Sequence, residues 1–208
     1  MDVLVLTVDQ DDSRRGADRV PDGLRMLADV PTLLAFDRTV GDELQGVLDD
    51  PAALPRALER LLRDGGWNVG LGVGPIETPV SEHSRAGRGP AYVAARDAVT
   101  AAKSSPWRVR AVAAAGDDVR TAGVRALESA VWLWAALLAR RTARGWEVAD
   151  LVDAGHTYDD AARQLGISQS AVSQRAAAAG IAEGRRAREL VEYLAGTALA
   201  SPDRGGDR

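Results

Sequence analysis

Gln169, Ser170, Ser173, Gln174 and Arg175 stand close together in the C-terminal part of the chain, and their side chains suit the reading of nucleic acid. A glutamine can bond the N6/N7 edge of adenine in two places, a serine can serve a base edge or a phosphate, and an arginine can pair with a phosphate or a guanine. Such side chains need a rigid helix that carries them outward, and the surrounding spacing predicts one. Thr157 can cap a first short helix with its hydroxyl. Asp159 and Asp160 sit in its first turn, where the positive end of the helix dipole favours carboxylates, and Gly166 ends it. Ala162 supplies the small residue needed where two helices cross closely. Ile167 closes the turn with its apolar side inward, Ser168 caps the second helix, and Val172 faces the core beside Leu165. Gln169, Ser170, Ser173 and Gln174 are then left outward near the N-terminal half of the second helix, which Gly180 stops.

Residues 157–173 follow the pattern T-x-x-x-x-A-x-x-L-G-I-S-x-x-x-V-S at every spaced position, and so resemble helix-turn-helix regulators. That resemblance implies double-stranded DNA as a partner. The whole chain, at net charge −4 and pI ≈ 5.3, lacks the basic footprint of a non-specific nucleic-acid coat. The local balance differs: Arg163, Arg175, Arg185, Arg186 and Arg188 stand against Glu183 alone. This stretch is either a phosphate-contacting surface, with Arg185 and Arg186 beside the reading helix, or a basic face that only meets water.

With 208 residues, 46% of them hydrophobic, the chain can hold one large domain or two small ones around a real core. It has no cysteine, which excludes disulfides and thiolate metal sites. No apolar stretch approaches membrane length. Residues 1–8 are apolar but lack the basic lead and cleavage site of a secretory signal, so the expected compartment is the cytoplasm. Lys103 is the one lysine in an otherwise arginine-based set of cations.

The N-terminal half alternates strand and helix. Residues 3–8 read as a buried strand and 21–30 as a helix. Residues 32–38 and 43–48 form a hairpin about Thr39-Val40-Gly41-Asp42, where Gly and Asp suit a tight turn. A helix from Pro51 ends at Gly65-Gly66, residues 69–74 make a strand with glycine at alternate positions, a helix starts at Gly89-Pro90, and 109–113 form a last strand. The alternating glycines either admit a ligand or a partner backbone or accommodate a packed helix, and packing is the favoured reading. The order is βαββαβ with one extra strand, an α+β arrangement.

Four segments carry a second resemblance: T-V-D-Q-D-D-S-R at 7–14, V-G-D-E-L-Q at 40–45, G-L-G-V-G at 70–74 and G-P-A-Y-V-A-A-R at 89–96. They resemble the ferredoxin-like palm of class III nucleotide cyclases and diguanylate cyclases, and the layout of palm followed by helix-turn-helix is similar to SatD-like proteins of bacteria. The resemblance implies that Asp9 and Asp42 hold divalent cations, Mg2+ by their hard oxygen ligands, against a nucleotide. Glu43 is a further ligand by the same resemblance, although along a strand it should point to the opposite face from Asp42. Asp11 and Asp12 are nearby acids. Backbone amides of residues 11–13, including that of Ser13, with Arg14 or Arg15 as counter-charge, can receive phosphate oxygens, and Arg96 matches the arginine of the last cyclase motif. Two departures weigh against turnover: Tyr92 stands where that motif has asparagine, and Val40 stands where diguanylate cyclases need glycine. Without any such role, Gly41-Asp42 is simply a good hairpin turn.

Residues 117–144 read as one long helix with two apolar stripes, one through Leu127, Val131, Trp134 and Leu138, the other through Trp132, Ala135 and Ala136. One stripe can face the palm and the other a second copy of the chain, or both can be buried in a monomer. Arg140, Arg141 and Arg144 make a basic end, near DNA phosphates or complementing the helix dipole. The expected division is palm 1–115, connecting helix 116–145, all-α helix-turn-helix domain 146–200 and a polar, disordered tail 201–208. His83 and His156 lie in loops without a second ligand at metal spacing. The function expected is a DNA-binding transcriptional regulator, acting as a homodimer, whose palm senses a nucleotide or phosphorylated ligand. The alternatives are a Mg2+-dependent cyclase-like enzyme, or a DNA-binding protein whose palm serves only dimerisation.

Overall fold

Strand β1 (Asp2–Gln10) is apolar on both faces, and that fixes the layers of the N-terminal part. Leu4, Leu6 and Val8 enter the main core on one face of the sheet, while Val3 and Val5 enter a smaller core on the other. The computed structural model describes residues 1–11, 16–116 and 118–200. Within them, β2 (Leu34–Arg38), β3 (Glu43–Leu48), β4 (Trp67–Pro75) and β5 (Val109–Ala113) join β1 in a five-stranded sheet of order β2-β3-β1-β4-β5. Each neighbouring pair among β2, β3, β1 and β4 is antiparallel, and β5 runs parallel to β4. The mixed α+β class and the ferredoxin-like order with one added strand are therefore as the sequence predicts. Helices α1 (Val20–Leu27) and α2 (Ala53–Asp64) supply Leu27, Leu54, Leu58 and Leu61 to the main core, and α3 (Pro90–Ala102) supplies Ala91 and Ala95 to the other face.

The glycines of β4 are there for α3. A Cβ on Gly70 would collide with the backbone of Ala95 and Val99, and one on Gly72 with that of Ala91 and Ala95. The helix thus rides directly on the strand, and close packing is the reason for the alternation.

Helix α4 (Asp118–Leu138) closes the free edge of β5 with side chains. The Ala111 N–H donates to Glu128 Oε2 at 2.8 Å, and Trp132 Nε1 donates to the Val109 carbonyl at 2.8 Å. Backbone groups that an edge strand would leave unpaired are satisfied in this way. On its other side α4 meets α8 (Ile181–Leu199), whose Val191, Ala195 and Ala198 share the main core with Leu127, Val131 and Trp134. Both apolar stripes of α4 therefore have partners inside the chain, and Leu133 is left exposed.

The helix expected over 117–144 ends earlier. α4 stops at Leu138, and α5 (Ala143–Asp153) begins after Thr142, whose hydroxyl accepts the Gly145 N–H at 3.2 Å. The two helices are bent by 118°. The reason is tertiary: Arg141, with its side chain 3% exposed, turns inward to Glu59 at 3.5 Å and donates Nε to the Ala179 carbonyl at 2.9 Å. A continuous helix would have no cap at Thr142 and no buried partner for this guanidinium. Among the described residues no single helix is long and apolar enough to cross a membrane.

Helices α5, α6 (Tyr158–Leu165) and α7 (Gln169–Ala178) pack around a small core of their own, built from Val148, Ala149, Ala161, Ala162, Val172 and Ala176. Charged contacts join it to α2. Arg63 makes a two-point pair with Asp150 at 2.6 and 2.8 Å, and Arg188 of α8 bridges Glu59 at 2.6 Å and Asp153 at 2.9 Å. The guanidiniums of Arg63 and Arg141 lie 4.3 and 4.7 Å from the ring centre of Trp146.

Candidate functional site

The placement of α7 is fixed by short-range bonds that the sequence already contains. Thr157 accepts the Asp160 N–H at 3.1 Å, and the Asp160 carboxylate accepts the Thr157 N–H at 3.2 Å, a reciprocal cap at the start of α6. The Thr157 hydroxyl and backbone hold the Asp160 carboxyl below its ordinary pKa of 3.8. Gly166 closes α6 in the left-handed conformation at φ 64°, where a side chain would be strained. Ser168 then caps α7 by accepting the Ala171 N–H at 3.1 Å.

With Val172 and Ala176 buried, the opposite face of α7 is left to solvent. Gln169, Ser170, Ser173 and Gln174 are all exposed, as expected, on the N-terminal turns of a helix whose axis and ends are fixed. Their amide and hydroxyl groups are free to meet base edges and phosphates. Arg175 is partly buried and leans toward Glu147 at 3.8 Å.

The basic surface is smaller than the residue count suggests. Arg188 is spent on Glu59 and Asp153, Arg163 pairs with Asp160 one turn away, and Arg186 pairs with Glu189 at 2.8 Å. Arg141 is buried at the helix junction, so it does not belong to a DNA-facing basic end. Arg140, Arg144 and Arg185 are exposed and carry no ion pair among the described residues.

On the sheet, the acids at the end of β1 have internal partners. Asp9 faces the α3 side of the sheet, directly across from Glu43 on β3 and Asn68 on β4. Lys103, just past the end of α3, places Nζ 3.1 Å from Asp9 Oδ2, and Asn68 Nδ2 donates to the same oxygen at 3.2 Å. Arg108 bridges the Asn68 amide oxygen at 3.1 Å and Asp11 at 2.9 Å. Glu43 accepts the Thr39 hydroxyl at 2.6 Å and lies 3.6 Å from Arg96. Asp42 remains in the hairpin turn, its carbonyl accepting the Gln10 N–H at 3.1 Å. The acid that shares a face with Asp9 is thus Glu43.

A hard divalent cation needs several converging oxygens, and among the described residues no group of three or more His, Asp or Glu is so arranged. Asp9 is already neutralised by an ammonium. These residues do not fit the two-cation arrangement that the cyclase resemblance implies. Ser13 and Arg14, with Asp12 and Arg15, lie outside the described residues.

Comparison with known proteins gives little beyond this geometry. No protein-family model and no curated protein matches the chain. A solved structure with some similarity is the regulator of polyketide synthase expression from Bifidobacterium adolescentis. It is 15% identical with a TM-score of 0.28, and the match covers 98% of this chain and 83% of that one.

Residue spacing alone did not reveal Lys103, Asn68 or Arg108 as partners of the β1 acids. The one available signal was that Lys103 is the sole lysine. Nor did it single out Arg85 and Arg88, which with Arg96 line a cleft beside Tyr92. Burial raises the Tyr92 hydroxyl above its ordinary pKa of 10.0, and its oxygen is buried without a hydrogen-bond partner.

Proposed function

We propose that this chain is a sequence-specific DNA-binding regulator, with α7 as the reading helix and the palm-like sheet as the half that receives a nucleotide or other phosphorylated signal. The observation that carries the reading is the exposed set Gln169, Ser170, Ser173 and Gln174, presented on a doubly capped helix pair with its own small core. Such a surface is rigid enough to enter a major groove and polar in the manner that base edges require. Few free arginines beside it, in an acidic molecule, suit selective reading at modest affinity more than coating. A reader of this size gains specificity by binding two half-sites as a homodimer, and its place of work would be the cytoplasm. The SatD-like resemblance agrees with this division of labour.

The cyclase-like alternative has less support, because Lys103 neutralises Asp9 and Tyr92 replaces the asparagine of the cyclase motif. Selection of genomic fragments by the purified chain tests the proposal. One enriched motif is expected, bound more weakly by Gln174→Ala while unrelated duplexes are unaffected. No enrichment over random fragments would remove the DNA-reading function.

A further inference from the structure

We propose that the cleft between the β2–β3 hairpin, the β4–α3 connection and the exposed side of α3 binds a small phosphorylated metabolite that also carries an apolar group. The inference deepens the reading of the palm as the receiving half. It rests on that reading only for its effect on DNA.

The cleft is open to solvent and has a volume of about 670 Å³, in the range of small-molecule sites. Arg85, Arg88 and Arg96 line it from two different elements. Arg85 also meets Asp37 at 3.3 Å and Arg96 meets Glu43 at 3.6 Å, whereas Arg88 has no ion pair among the described residues. Guanidiniums present planar pairs of donors that match phosphate oxygens, and Arg88, which has no carboxylate partner among the described residues, anchors an anion in the space that Arg85 and Arg96 also line. The start of α3 adds to the positive field: Gly89 provides no side-chain cap and the first turn contains no acid.

The walls are held in place. The Ser84 hydroxyl, buried at 1% exposure, donates to the Gln45 carbonyl at 2.7 Å and pins the connection to β3. The Glu77 N–H donates to the Arg88 carbonyl at 2.9 Å, tying the two ends of that connection together. The apolar component follows from Val40 and Val93, which line the same cleft while 83% and 63% exposed. Valines so open to water beside three arginines suit a ligand with an apolar part next to its anion. Glu77 and Asp97 also line the cleft, which disfavours a ligand charged along its whole length.

The test uses the full chain and phenyl phosphate, with inorganic phosphate and phenol as separate probes, followed by calorimetry. Saturable binding of phenyl phosphate below about 10 mM is expected, tighter than either separate probe. Arg88→Glu and Arg96→Glu, both at exposed positions, should weaken it about tenfold or more, while Arg185→Glu on α8 leaves it unchanged. No saturable binding, equal binding by the cleft variants, or loss with Arg185→Glu would each overturn the proposal. Binding to the selected DNA is measured on the same variants in the absence of probe. Failure of the parent chain to select any DNA while phenyl phosphate still binds would count against the regulator and not against the site.

Discussion

Lys103 Nζ stands 3.1 Å from Asp9 Oδ2, so an ammonium group from the end of α3 already pairs with one of the two carboxylates that the cyclase resemblance assigns to a divalent cation. The pair also holds the end of α3 to the end of β1. Its lysine is 56% exposed, so its contribution to stability is small, within about 1 kcal/mol. Its effect on metal affinity is larger in kind, because a second cation must displace the first. The melting temperature is therefore expected to be the same with and without about 10 mM Mg2+, since only a ligand of the folded state raises it. A rise that disappears in Asp9→Asn would restore a metal-binding role to the strand end.

Gly72→Ala is expected to destabilise the protein by about 2 kcal/mol or more, because the added methyl meets backbone atoms of α3, which cannot rotate away. Urea unfolding followed by circular dichroism measures this. At Gly123, where a Cβ would meet nothing within 4 Å and the residue lies inside α4, the same change should stabilise by about 0.5–1 kcal/mol. A similar loss at both positions would show that α3 does not ride on β4.

Glu59 joins the sheet part to the helix-turn-helix through Arg141 and Arg188, and its side chain is 16% exposed. Glu59→Leu leaves the guanidinium of Arg141 without its carboxylate and should cost about 3 kcal/mol. Glu59→Leu combined with Arg141→Leu should cost clearly less than the two single changes added together, which chemical unfolding of all four proteins will measure.

Burial is the main cause that raises the Glu59 carboxyl above its ordinary pKa of 4.5, with the charge of Asp153 adding to it against the two arginines. In the window just above 4.5 the folded protein therefore holds a proton that the unfolded chain has released. Stability should fall as pH rises through that window. Glu59→Gln should remove this slope, and a thermal-melt series across the window with both proteins reads the difference.

Arg185→Ala is expected to weaken DNA binding evenly across sequences and to lower the salt slope by about one, as for a phosphate contact. Arg188→Ala should act through folding, since its guanidinium already bridges Glu59 and Asp153. Filter binding at several salt concentrations, beside a melt of each variant, separates the two effects. Equal salt slopes for Arg185→Ala and the parent would remove Arg185 from the interface.

The helix pair of α6 and α7 was readable in the sequence because every device that makes it is local. Thr157 and Asp160, Ser168 and Ala171 are three residues apart, and Gly166 acts through its own backbone. The succession of strands and helices along the chain followed from alternation and turn residues in the same way. What the sequence left open was the fate of charged side chains. An arginine looks the same whether it faces a phosphate or a carboxylate far along the chain, and Arg188 meets Glu59 across 129 residues. The same holds for Lys103 and Asp9, for Arg141 at the end of α4, and for Glu128 capping the edge of β5. Local bonding is written into residue spacing, whereas the pairing of charges depends on which surfaces the packed core brings together, and only the tertiary structure decides that.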